Sequence, residues 1–94
     1  MDTSEARRIL NACLAELRQR SYEDLVHEYL GQDIYRETTG TNGVVFQLEI
    51  SALWDDGRPG NLRVMAAIDD AGWRALIPMT GDFIVATDGT FVDE

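Results

Sequence analysis

A single histidine, a single cysteine and three acidic turns are the residues that could do chemistry in this 94-residue chain. His27 follows Glu23 by four residues and Asp24 by three, so on a helix both acids lie within a turn of the imidazole. Carboxylates so placed favour the charged ring, and the trio could serve as a general base or a pH-sensitive group. The same spacing describes a solvated histidine on the polar side of a helix, which is the simpler expectation. Cys13 falls among apolar residues at helical spacing. A nucleophilic cysteine needs exposure, nearby positive charge and a base, so Cys13 reads as a small core residue. Asp55-Asp56, Asp69-Asp70 and Asp88 could supply oxygens to calcium or magnesium. None has the alternating spacing of a calcium loop, and each lies near a glycine, where aspartate favours the turn itself. There is no glycine-rich phosphate loop, no G-x-S-x-G and no Cys/His metal spacing. The sequence therefore predicts no catalytic residue, no metal and no cofactor, and it points away from an enzyme.

Two further groups of residues bear on binding. Trp54 and Trp73 fall on the inward face of predicted strands. They are expected in the core, or else walling a ligand pocket with Tyr22, Tyr29 or Tyr35 offering a hydroxyl at its mouth. On the opposite face, Leu53, Met65, Ala67 and Leu76 gather between Glu49, Arg63 and Arg74. Methionine and arginine are enriched at protein interfaces, and an apolar patch rimmed by charge is what a partner surface looks like.

Composition narrows the partners. The net charge is −9, with eight arginines and no lysine among the basic residues. A chain this acidic repels phosphate backbones and anionic lipid surfaces, so neither nucleic acid nor membrane is expected as a partner. One cysteine permits no internal disulfide, in keeping with a reducing, cytoplasmic setting. No apolar run reaches the length of a membrane span, and MDTSEARRIL lacks the pattern of a signal peptide.

These residues need elements to position them. Ala6, Ile9, Leu10, Cys13, Leu14 and Leu17 form one helical stripe. Tyr22, Leu25, Val26, Tyr29 and Leu30 form a second, out of phase with the first, so the helix must break near Arg20-Ser21. Ser21 suits an N-cap and Gly31 a C-terminal stop. A short strand near 33–39 leads through Gly40-Thr-Asn-Gly43 into Val44–Trp54, the longest strand-like run, with Phe46, Leu48, Ile50, Ala52 and Trp54 on its core face. Asp55–Asn61 is a loop. Leu62–Ile68 alternates again, and a turn at Asp69–Gly72 returns Trp73–Ile77 beside it, with Ile68 opposite Trp73. Pro78–Asp82 breaks the chain before a last strand at Phe83, Val85 and Thr87, and Phe91-Val92 adds a brief pairing. The sum is one α+β domain over residues 1–94: a broken N-terminal helix packed on one face of a curled antiparallel meander of four or five strands.

That order, with LRQRSYEDLVHEYL at 17–30, Phe46-Gln-Leu-Glu49, Trp54-Asp55, Asp69-Asp70 and Asp88-Gly89, resembles the cystatin-like or NTF2-like α+β roll of small uncharacterised bacterial proteins. The resemblance implies fold only. The leading functional expectation is a non-enzymatic interaction protein that forms a homodimer through the outer sheet face. One alternative is a ligand-binding or enzymatic roll with a pocket near Trp54, Trp73, Tyr29 and Tyr22. Another is an acidic decoy or immunity-type protein that captures a basic partner.

Overall fold

The computed structural model describes residues 3–70 and 79–94. Two helices, α1 (Thr3–Arg18) and α2 (Tyr22–Tyr29), precede four strands: β1 (Asp33–Thr39), β2 (Val45–Trp54), β3 (Leu62–Asp69) and β4 (Met79–Val85). The strands form one antiparallel sheet in the order β1-β2-β3-β4. Alternation decides the faces. Phe46, Leu48, Ile50 and Ala52 of β2, Leu62, Val64, Ala66 and Ile68 of β3, and Phe83 and Val85 of β4 are buried against the helices. Helix α1 packs over β3 and β4, and α2 over β2 and β3. Both helical stripes point into this one layer, with Cys13 in the core as expected.

The helix break falls where the phase change requires it. The Ser21 hydroxyl oxygen accepts from the Asp24 amide at 3.1 Å and caps α2, while Gly31 takes a left-handed φ of 71° just past its end. Gly43 turns the β1–β2 loop with a φ of 83°.

One expected pairing is corrected. Ile68 lies opposite Met79, not Trp73, and Ala66 and Val64 face Gly81 and Phe83. Residues 79–82, read as a break, are the first half of β4. Trp73–Ile77, the expected partner strand, lies outside the described residues. The registers differ by six residues, an even number, so Phe83 and Val85 keep their inward face. Gly81 is in the strand because α1 comes close: a Cβ there would stand 2.7 Å from Leu14 Cδ1. Phe91 bridges to Val85 as a brief last pairing.

Two polar contacts tie the ends of α1 to the sheet. At its C-terminal end, the Arg18 guanidinium lies 4.9 Å from the Phe83 ring centroid and 4.6 Å from that of Phe91, and it donates to Glu94 at 2.6 and 2.7 Å. At the N-terminal end, the Glu5 carboxylate accepts from Arg8 Nε and Nη2 at 2.8 and 2.9 Å and from the Thr41 amide at 2.8 Å. Glu5 thereby holds the β1–β2 loop, and the Arg8 bonds, helped by Thr41, pull its pKa from 4.5 to about 2. A folded-state pKa below the unfolded one means stability present above pH 4.5 and lost as pH falls toward 2. Glu5→Gln should lower the melting temperature at neutral pH and flatten the acid limb of stability in that window. An acid limb as steep as the parent's would rule this linkage out.

Candidate functional site

With both helices on one side, the other side of the sheet has no covering layer among the described residues. Strand register arranges that outer face in rows. Asp33, Ser51, Met65 and Asp82 lie side by side, as do Tyr35, Glu49, Ala67 and Thr80. Glu37, Gln47 and Asp69 form a third row, and Leu53, Arg63 and Ile84 a fourth. None of these residues is buried, and Leu53 and Tyr35 are 45% and 59% exposed. The small side chains Ser51, Ala67 and Thr80 leave a hollow of about 430 Å³ between Glu49, Met65 and Asp82.

The face is electrostatically one-sided. Among the described residues it carries five carboxylates, Asp33, Glu37, Glu49, Asp69 and Asp82, against one base, Arg63. Arg63 donates from Nε to Asp55 Oδ1 at 3.0 Å and from Nη1 to Asp82. Tyr35 Oη donates to Glu49 Oε2 at 3.3 Å. The charge of Glu49, with that hydrogen bond and more distant Asp33, pushes the Tyr35 phenol above its usual range. The arrangement can hold a positive group against an apolar floor.

Of the residues expected at an interface, Glu49, Leu53, Arg63, Met65 and Ala67 share this face; Arg74 and Leu76 lie outside the described residues. Sequence reasoning missed Asp33, Thr80, Asp82 and Ile84 as members of the face. Alternation through β1 would have found Asp33 beside Tyr35. Asp82 needed the register of β4, which was misread.

The residues expected around a pocket are placed differently. Tyr29 is fully buried, and its hydroxyl accepts from Arg36 Nη2 at 3.0 Å. Tyr22 Oη donates to the Gly60 carbonyl at 2.6 Å. Trp54 is half-buried and packs on the core, and Trp73 lies outside the described residues. A second opening, of about 320 Å³, lies instead between α1 and β1, where Ile9, Cys13, Leu48 and Thr38 face Arg8 and Arg36. Burial raises the Cys13 thiol pKa, which keeps it protonated. His27 is exposed in the last turn of α2. Among the described residues, no group of three or more His, Cys, Asp or Glu could hold a metal ion, and no helix is long and apolar enough to cross a membrane.

Comparison with protein-family models, with curated proteins and with solved structures finds no match to this chain.

Proposed function

We propose that this chain is a non-enzymatic interaction protein that works through the outer face of its sheet, and that its partner there is a basic protein. The observation that carries this reading is the excess of carboxylates, five to one among the described residues, on a sheet face that no described element covers. Apolar residues in the same rows, Leu53, Met65, Ala67 and Ile84, supply area to bury, while the acids select the partner's charge. The expected homodimer is a second reading. Stacking two whole faces would bring five carboxylates of each copy together, which disfavours it. The row Leu53–Arg63–Ile84 favours it, because a contact through that end alone avoids most of the acids.

Neutralising variants separate these readings. Asp33→Asn/Glu37→Gln/Glu49→Gln should lose the proteins that the parent captures from lysate at low salt. A control that removes three acids elsewhere, Glu23→Gln/Asp56→Asn/Asp93→Asn, should keep them, and added salt should release them. Equal loss in both variants would mean that capture reflects net charge alone. A doubled mass in light scattering that Met65→Arg returns to monomer would establish self-association instead.

A further inference from the structure

The outer face ends at β1, and that edge of the sheet is open. Strand β1 pairs with β2 on one side only. Backbone bonds close the chain just before and just after it, from Gln32 N to the Tyr29 carbonyl and from Gly40 N to the Val44 carbonyl. Among the described residues, no backbone hydrogen bond besides the β2 ladder reaches residues 33–39. Strand β4 differs, because the tail folds back over its last residues: Val92 N donates to the Ile84 carbonyl at 2.9 Å. Natural edge strands are blunted by proline, bulges, short length or charged side chains. Strand β1 is seven residues long, contains no proline or lysine, and keeps an unbroken register with β2.

What β1 does carry is charge of one sign on one face. Asp33, Tyr35, Glu37 and Thr39 point outward, so the acids stand at both ends of the edge. These acids discriminate against a second copy. In antiparallel self-pairing centred on Tyr35, Asp33 meets Glu37 of the other copy; centred on Glu37, that glutamate meets itself; centred on Arg36, the arginine meets itself. Like charges directly opposite destabilise a strand pair, so each long register of self-addition is penalised. A basic strand meets no such penalty. On the inner side, the groove between α1 and β1 presents Ile9, Cys13 and Leu48 at the same edge, beside Arg8 and the Arg36–Glu16 ion pair. An added strand thus finds carboxylates on its outer side, and on its inner side a surface that is part apolar and part ionic, a difference between faces that the period-two alternation of a strand can match.

We infer that the open edge of β1 takes an extended basic segment of the partner as a fifth strand. Its arginines or lysines lie beside Asp33 and Glu37, and its alternate residues turn toward Ile9 and Leu48 in the groove between α1 and β1. Backbone hydrogen bonds hold the segment and the acids choose it, as in other strand-addition complexes. This rests on the reading of the outer face as a docking surface for a basic protein.

The test uses two capped synthetic peptides of about eight residues, the length of an ordinary strand. One alternates arginine with valine. The other alternates arginine with proline, with equal charge but without the amides a ladder needs. In titrations followed by amide NMR shifts, the arginine–valine peptide should saturate and move the signals of residues 33–39. The arginine–proline peptide should bind about tenfold more weakly or worse. Asp33→Asn/Glu37→Gln should weaken the first peptide while leaving the native spectrum intact. Equal binding of both peptides, with shifts centred on Glu49, Ser51, Met65 and Thr80, would overturn strand addition and leave the outer-face reading standing. No binding of either peptide would overturn both. Protection of the 33–39 amides in a dimer of this chain would replace the basic strand with a second copy.

Discussion

Phe46→Ala is expected to cost about 3–5 kcal/mol, the usual range for truncating a fully buried aromatic ring. Phe46 has no exposed surface and is among the largest fully buried side chains. It stands near the start of β2, opposite Thr38 of β1, and its ring edge and the side chain of Glu5 from α1 both close on the Gly40 turn. Its loss would open a cavity where helix, loop and sheet converge, and none of the three can collapse without dragging the others. A chain of this size has roughly 5–14 kcal/mol of total stability, so the variant would sit near the unfolding threshold. At about 4–8 °C per kcal/mol, the melting temperature should fall by more than 10 °C. Urea unfolding of the two proteins measures the difference directly. A loss below about 1 kcal/mol would mean that the ring does not join these elements.

Gly40→Ala is the second large effect, and it tests the same junction from the other side. A Cβ on Gly40 would stand 2.9 Å from Phe46 Cε2 and 3.0 Å from Glu5 Oε1. The ring is enclosed, and the carboxylate is held by Arg8 and Thr41. Neither can retreat freely, so overpacking should cost about 1–3 kcal/mol. Gly81→Ala is the informative comparison. Its clash is shorter, 2.7 Å, but it falls on the terminal methyl of Leu14, a half-buried side chain that can turn aside. Gly81→Ala should therefore cost less than Gly40→Ala, although distance alone would rank them the other way. A Phe46→Leu background removes the ring edge, so the cost of Gly40→Ala should shrink there, a non-additivity that urea unfolding of the four proteins resolves. An undiminished cost would place the strain elsewhere.

Much of this architecture was legible in the residues. The phase slip between Leu17 and Tyr22 located the helix break, and Ser21 supplied the cap that the break requires. Alternation through Phe46, Leu48, Ile50 and Ala52, and again through Leu62, Val64, Ala66 and Ile68, set the inner face. What misled was Gly81. Beside Pro78 and Asp82 it reads as punctuation, yet it is a strand residue whose missing side chain makes room for Leu14. That role belongs to tertiary packing and has no local signature. The outer face was half legible for the same reason. Glu49, Leu53, Met65 and Ala67 follow from alternation within two strands, whereas Asp82 joins Met65 only through the pairing of β3 with β4. Tyr22 and Tyr29 show a different limit. Their spacing marks them as helical, but only the fold shows Tyr29 enclosed and hydrogen-bonded to Arg36.

The clasp of Arg18 on Phe83, Phe91 and Glu94 has a kinetic meaning. Arg18 and Glu94 are 76 residues apart in sequence. Closing so long a loop early in folding would be entropically costly, so the clasp should form late, after the strands have brought the tail back to α1. Interactions absent from the folding transition state act on the rate of opening and leave the rate of closing unchanged. The clasp therefore does little to help the chain find its fold and much to set how long it stays folded.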